Sequence, residues 1–349
     1  MNDPIYEKLI RPLIFQLDAE KAHHLAMHWL SWQSKFPGFC RQKHLSKVFS
    51  QQNPIRLFGL EFPNHVGLAA GMDKDARALP AFAAMGFGHV EAGTVTPIGQ
   101  PGNDQPRLFR YPKEEAVINR MGFNNEGATS MLNRIKETFP KGPQRIIPLG
   151  INLGKGKPTP LEDAAKDYVA GFRILAEQAD YFTVNISSPN TPGLRELQNE
   201  AYLRDLLGAL QKANHEKAKE TNAKPIPILV KIAPDLDDHE ITELLNILLD
   251  LNYDGIIATN TTIARPGFFE SVNEAGGLSG LPVQKRSDEV IQFIHKETNG
   301  KLPIIGVGGI MDIDSAQRKL DLGASLIQIY TGLIYRGPGF VKALARGLS

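Results

Sequence analysis

From about residue 65 onward, short β-branched and apolar runs recur along the chain, each stopped by Gly, Pro or Asn. Eight of them read as strands: His65–Ala70, His89–Thr94, Ile146–Leu153, Tyr181–Ser187, Ile226–Ala233, Asp254–Asn260, Leu302–Gly309 and Ser325–Gly332. Helical patterns lie between most of them, at Arg77–Met85, Ala164–Gln178, Ala201–Lys219, Asp238–Leu251, Ser287–Thr298 and Ile313–Leu322. Leu244, Leu245, Ile247, Leu248 and Leu251 show the three-and-four spacing of a buried helix face. Alternating strand and helix predicts a parallel sheet with right-handed crossovers. Eight such units close naturally into an α/β (β/α)8 TIM barrel, typically of about 250 residues. An open doubly wound sheet is the alternative.

The barrel reading can be checked against the strand ends, because barrels place ligand groups at the C-terminal ends of their strands. Here those ends carry Ala70-Gly71-Met72-Asp73-Lys74, Gly93-Thr94, Asn152-Leu153-Gly154-Lys155, Asn185 to Asn190, Lys231, Thr259-Asn260-Thr261, Gly308-Gly309 and Tyr330-Thr331-Gly332. The segment Asn185-Ile186-Ser187-Ser188-Pro189-Asn190-Thr191-Pro192-Gly193 stands out, since an apolar strand gives way there to amides and hydroxyls fixed by prolines. It reads as a site, with Ser188 as its candidate reactive group.

Composition narrows the class. The 349 residues are 42% hydrophobic and 22% charged, with a net charge of +1, which suits a soluble globular protein and offers no basic field for nucleic acid. The single cysteine, Cys40, rules out an internal disulfide and any cysteine-ligated metal or iron–sulfur site within the chain, so no metal is expected. Met1-Asn2-Asp3-Pro4 does not open a signal peptide, and no apolar run approaches the roughly 18 residues of a membrane span.

Glycines at the ends of the last two strands suit a phosphate held by backbone N–H groups, although tight strand–helix packing would also use them. Gly306-Val307-Gly308-Gly309 lacks the third spaced glycine of a dinucleotide fold, and Gly154-Lys155-Gly156-Lys157 lacks the hydroxyl of a P-loop. Lys231 interrupts the apolar strand Ile228-Leu229-Val230-Lys231-Ile232-Ala233. It could form a Schiff base, stabilise negative charge on a cofactor ring, or snorkel to the rim.

The motifs Gly67-Leu68-Ala69-Ala70-Gly71-Met72-Asp73-Lys74, Gly93-Thr94-Val95-Thr96-Pro97, Asn119-Arg120-Met121-Gly122-Phe123-Asn124-Asn125, Asn185 to Gly193, Lys231-Ile232-Ala233-Pro234-Asp235 and Gly276-Gly277-Leu278-Ser279-Gly280 closely resemble dihydroorotate dehydrogenase, in its class 2, quinone-linked form. The resemblance runs over nearly the whole chain. It implies oxidation of dihydroorotate to orotate in pyrimidine (UMP) synthesis, with FMN as prosthetic group, hydride passing to flavin N5, and a membrane quinone (ubiquinone or menaquinone) as acceptor. By the same resemblance Ala70, Gly71, Met72, Asp73, Lys74, Thr94, Asn152, Asn185, Lys231, Thr259, Gly280, Gly309, Tyr330 and Thr331 match FMN-binding positions. Lys74, Asn119, Arg120, Met121, Gly122, Phe123, Asn185, Asn190, Asn260 and Thr261 match substrate-binding positions, and Ser188 matches the catalytic base. Met72 stands where leucine is expected and Thr331 where serine is more familiar; each keeps the volume or the hydroxyl. A serine base argues against class 1, whose members the resemblance gives a cysteine. An aldolase using Lys231 and a silent ligand-binding barrel remain the rivals.

Residues 1–50 precede the catalytic domain, expected at 51–349, as a helical extension. Ile5, Leu9, Leu13 and Ile14 form an apolar stripe, and Pro12 keeps that first helix short. Asp18 can cap a second helix, whose face reads Ala22, Leu25, Ala26 and Trp29. Both tryptophans, Trp29 and Trp32, lie here, and indole favours a membrane interface. The pair is either a hairpin packed on the barrel or a monotopic element lying on the membrane and forming a quinone tunnel. His23, His24 and His28 suit surface or headgroup contact better than a metal. The resemblance implies a monomer held peripherally on the cytoplasmic side of the inner membrane of a Gram-negative bacterium.

Overall fold

Short apolar runs broken by glycine and proline fold as short strands. In a computed structural model describing residues 3–36, 54–140, 145, 147–191, 193–198 and 200–348, eight of them close a parallel barrel. The strands are β1 (Val66–Leu68), β2 (His89–Val95), β3 (Leu149–Leu153), β4 (Tyr181–Asn185), β5 (Ile228–Ile232), β6 (Gly255–Ala258), β7 (Ile304–Val307) and β8 (Leu326–Ile329). Neighbours follow chain order, and β8 returns to β1 with Ile327 opposite Val66. Each observed strand lies within its predicted run or within a residue of it. Pro227 and Pro303 precede two of the strands and lack the N–H that would extend the ladder.

Outward residues of the strands (Val66, Leu68, Val90, Ile151, Val184, Val230, Ile304) share one apolar core with the inner faces of the surrounding helices. The helix Asp238–Asp250 shows why those faces form: a reciprocal capping box joins Asp237 and Glu240, and Leu244, Leu245, Ile247 and Leu248 are buried as their spacing predicted. Inside the barrel the chemistry changes. Its lower part is apolar (Tyr181, Leu229, Ile257, Ile305, Leu326), whereas its upper part carries Glu91, Asn152, Thr183, Lys231 and Gln328.

The helices Ala128–Thr138, Thr331–Arg336 and Pro338–Gly347 were not predicted, and neither were two additions made of strands. An antiparallel hairpin, Ile55–Leu57 with Leu60–Phe62, plugs the bottom of the barrel with Phe62, whose ring meets His89 edge-on at 5.4 Å. Its two-residue turn is Phe58-Gly59, both at positive φ, so the usual Asn-Gly signal is missing. A three-stranded antiparallel sheet joins Leu108–Tyr111, Ala116–Asn119 and Gly277–Gly280, drawn from two distant loops. Its strands are only four residues long.

The N-terminal helices form as expected in outline. A π-turn over Tyr6–Ile10 runs into Arg11–Ile14, so the chain stays helical through Pro12. Asp18 Oδ1 accepts from the N–H groups of Glu20 and Lys21 and starts the helix Ala19–Ser34. Glu20, Ala22, Met27 and Leu30 of that helix face the barrel, but Leu25 and Trp29, expected on one face with Ala22, point outward. The expected boundary near residue 50, Cys40, Ile146 and Pro192 lie outside the described residues.

The inner wall of β1 leaves no room for a side chain at Gly67, where a Cβ would sit 2.0 Å from the buried His89 ring. Gly67→Ala is expected to cost about 1–3 kcal/mol and to lower the midpoint of chemical unfolding; an unchanged midpoint would show that the His89 ring can move aside.

Candidate active site

The polar ends of the strands surround a cleft of about 1060 Å³, measured out to its open mouth. Its floor is the upper barrel, and its roof includes Asn119 and Ser279 of the antiparallel sheet. Asn185, the last residue of β4, is the hub of one wall. Its Nδ2 donates to Thr94 Oγ1 at 3.0 Å and to Asn152 Oδ1 at 3.3 Å, and its Oδ1 accepts from Ser187 Oγ at 3.0 Å. Asn260 Nδ2 reaches the same Ser187 hydroxyl at 2.9 Å, while Asn190 Nδ2 donates to Asn119 Oδ1 at 3.2 Å. Four amides from four strands and loops are thereby held in fixed orientation around the opening.

Ser188 follows in the loop after β4. It is buried, lines the cleft, and accepts the Asn190 N–H at 3.3 Å. Arg195 clamps this loop, donating to the carbonyls of Ser187 and Thr261 while pairing with Asp235 at 2.9 Å. The Thr191 hydroxyl, three residues past Ser188, is buried without a hydrogen-bond partner among the described residues. Lys74 also faces the cleft; its Nζ donates to Gly71 O at 2.8 Å, and burial brings its ammonium down to about 8.

The opposite end of the cleft is built of backbone. Gly280, Gly308 and Gly309 all hold positive φ, and a Cβ on Gly309 would meet Gln284 at 2.3 Å, beside the first turn of the helix Gln284–Glu297. Exposed N–H groups beside a helix N-terminus suit a phosphate. Between the two ends lie Lys231 and two buried atoms lacking partners among the described residues, Thr259 Oγ1 and Gln328 Oε1.

A second cavity of about 830 Å³ opens between the N-terminal helices and the barrel. Its wall is largely apolar, with Ile14, Phe15, Ala22, Met72, Leu333 and Pro338, and its polar members are few: Tyr6, His23, Arg110 and Tyr330. Arg110 lies over the Phe15 ring at 4.4 Å, and burial takes the His23 imidazole down to about 3, so that it is neutral near pH 7. A buried ion pair pins the helix Ala19–Ser34 beside this cavity, with Arg107 Nη2 2.8 Å from Glu20 Oε1. Burial alone would push the Glu20 carboxyl up, but Arg107 outweighs it and the net shift is downward. Tyr330 belongs to the walls of both cavities.

Residues 54–349 match the family model for dihydroorotate dehydrogenase. The chain belongs to the dihydroorotate dehydrogenase family. It is 50% identical over 343 residues to the dihydroorotate dehydrogenase (quinone) of Idiomarina loihiensis, covering 97% of this chain and 99% of the relative. The corresponding protein of Salinispora arenicola is 51% identical over 348 residues, covering 98% of each chain. A crystal structure of DHODH from Eimeria tenella in complex with ferulenol superposes with a TM-score of 0.84 at 37% identity, covering 95% of this chain and 90% of that one.

Most positions that the dehydrogenase resemblance pointed to come together in the first cleft: Ala70, Gly71, Lys74, Thr94, Asn119, Met121, Gly122, Phe123, Asn185, Ser188, Asn190, Lys231, Thr259, Asn260, Thr261, Gly280, Gly309, Tyr330 and Thr331. Four do not line it. Met72 faces the second cavity. Asp73 is buried and accepts the N–H groups of Arg77 and Ala78. Asn152 stands behind Thr94 and Asn185. Arg120 turns outward to Glu274 at 2.6 Å and lies over the Phe109 ring. His23 enters the second cavity, whereas His24 and His28 are exposed. Sequence reasoning passed over Gln328 and Ser279 in the wall and Glu91 beneath it. A charged residue inside a strand had marked Lys231, and the same signal was available for Glu91.

Proposed function

We propose that this chain oxidises dihydroorotate to orotate in pyrimidine biosynthesis, with FMN held in the first cleft and a membrane quinone admitted through the second cavity. The observation that carries the reading is the pairing of a polar, amide-lined cleft with an apolar passage across one shared residue, Tyr330. Two reactants of opposite solubility then approach one redox centre from different sides. Family membership and the quinone-linked relatives support this acceptor, and they remove the aldolase reading of Lys231.

The residues present fit FMN. Backbone at Gly280, Gly309 and Thr331 would take its phosphate. Lys231, Thr259 and Gln328 offer the ring one cation, one hydroxyl and one carbonyl, the last two without partners among the described residues. FMN, when bound, supplies a two-electron acceptor that can pass its electrons on to a quinone.

The rest of the chemistry falls to side chains. Dihydroorotate is a small anion with ring amide and imide groups. Asn119, Asn185, Asn190 and Asn260 present paired donors and acceptors to such a ring, with Thr261 beside them, and Lys74 answers its carboxylate. Met121 and Phe123 supply an apolar wall that limits water. Ser188 Oγ takes a proton from one ring carbon, and its own proton must leave in turn. The Thr191 hydroxyl, buried in the same loop and without a partner among the described residues, is a candidate to carry it.

The N-terminal helices would hold the enzyme on a membrane. Ile5, Leu9, Leu13, Leu25, Trp29 and Trp32 are each more than half exposed, from 53% to 67%, and all lie within residues 5–32. Singly such residues are ordinary, but a cluster of this kind marks an interaction surface. No described helix is long and apolar enough to cross a bilayer. The exposed cluster supports contact with a membrane surface; the monomeric state and the cytoplasmic face of the inner membrane are proposed from the family resemblance.

Purified protein should be yellow and should bleach on adding dihydroorotate; Ser188→Ala should keep its colour and substrate affinity yet bleach about 10²–10⁴-fold more slowly. A bleaching rate equal to the parent's would remove Ser188 from the role of base. Orotate affinity should be full near neutral pH and should weaken as the Lys74 ammonium loses its proton above about 8, by about tenfold in dissociation constant. In Lys74→Met the affinity should be lower and independent of pH in this range; a parent-like pH profile would exclude Lys74 as the titrating group. Phospholipid vesicles should sediment the full chain but not one lacking residues 1–50, and the shortened chain should lose turnover with long-chain quinones while retaining FMN. Normal quinone turnover by that truncated form would refute the tunnel.

A further inference from the structure

Beneath the cleft lies a carboxylate that none of these roles uses. Glu91, on β2, is fully buried. Its Oε1 accepts from Asn152 Nδ2 at 2.8 Å, and its Oε2 accepts from Gln328 Nε2 at 2.9 Å and Thr183 Oγ1 at 3.1 Å. Lys231 Nζ stands 4.0 Å from Oε1. These partners come from β3, β8, β4 and β5, so the carboxylate ties five strands together at one level of the barrel. Every one of them is a donor, which is the set that an ionised carboxylate requires.

The distance to Lys231 is informative. At 4.0 Å the contact is too long for a hydrogen bond, so it acts by charge alone. Among the described residues Lys231 makes no other ion pair and no side-chain hydrogen bond, which leaves its three N–H donors free for whatever occupies the cleft. A lone ammonium in such a place tends to shed its proton. Burial pulls Lys231 below the ordinary lysine range, and Glu91 pulls it back.

We infer that Glu91 is a positioning residue for the redox reaction: it keeps Lys231 charged and turned toward the cofactor ring, and through Lys231 it makes the bound flavin easier to reduce. The inference rests on the assignment of FMN to the cleft. Asn152, Thr183 and Gln328 then have a defined purpose, since they keep Glu91 from closing onto Lys231 as a direct salt bridge. A purely structural hub would stabilise the barrel without moving a redox equilibrium.

The test uses the full-length holoprotein and reads the midpoint potential of bound FMN against a reference dye, with FMN content and thermal unfolding measured alongside. Glu91→Gln should shift the two-electron equilibrium against reduction by at least tenfold, about 30 mV, toward the value of Lys231→Met. Adding Glu91→Gln to Lys231→Met should produce no further shift, because the effect is transmitted through the lysine. Should Glu91→Gln fail to fold, Glu91→Asp, with its carboxylate drawn back from Lys231, should give a smaller shift of the same sign. An unchanged or raised potential in either Glu91 variant would overturn the inference while leaving the flavin assignment intact. A parent protein that binds no FMN at all would overturn both.

Discussion

Closure of eight parallel strands imposes one direction on everything that follows them. Because β8 pairs with β1 in the same sense as all the other neighbours, each strand delivers its next residue to the same rim. The strands are short, from three to seven residues, so a polar residue at a strand end sits within one or two positions of the apolar core that anchors it. Asn185 illustrates the result: its side chain faces the cleft while its own carbonyl is held from behind by Tyr168 Oη at 2.7 Å. The site inherits its rigidity from a barrel that cannot change one strand without disturbing two neighbours.

The same closure creates an electrostatic problem inside the barrel. A ring of strands excludes water from its interior, and in that medium a charge must be matched or lost. The lower half of the interior avoids the problem with Tyr181, Leu229, Ile257 and the Phe62 plug. The upper half contains it by distributing one carboxylate among four strands and leaving the facing ammonium open to the cleft. Such an arrangement is already oriented before any ligand arrives, and preorganised charge acts more strongly there than it would in water.

How much of this was legible in the sequence depends on whether the signal is local. Barrel strands and their helices follow from runs within one segment, as with Ile228-Leu229-Val230-Lys231-Ile232 or the helix capped by Asp237. The roof could not be read that way, because Ala116–Asn119 pairs with Gly277–Gly280 across some 160 residues and neither piece alternates strongly. The hairpin plug was hidden by an unusual turn, Phe58-Gly59. Within the site, family motifs pointed to residue types but not to facing: Arg120 belongs to the Asn119–Phe123 motif yet turns outward to Glu274, because alternation along the strand and the turn after it carries neighbouring side chains apart. The helix Ala19–Ser34 misled for a related reason. Its apolar residues cover two faces, and periodicity alone does not say which of them the barrel takes.

Division of labour between those two faces explains why the extension is fastened as it is. Met27 and Leu30 bind the helix to the barrel, but the outward Leu25, Trp29 and Trp32 would favour leaving it for any apolar surface nearby. A purely apolar inner seam would compete poorly, since both faces answer to the same driving force. The Glu20–Arg107 pair differs in kind. Arg107 also donates to the carbonyls of Pro101 and Asn103 at 2.7 Å, so it is fixed from the barrel side before the helix contributes its carboxylate. Withdrawing the Glu20 carboxylate leaves the buried Arg107 cation without its anionic partner, a cost different in kind from lost apolar contact. In the membrane-bound arrangement proposed above, the helix would present its apolar face to the bilayer while the ion pair holds its first turn beside the second cavity, whose wall includes Tyr330.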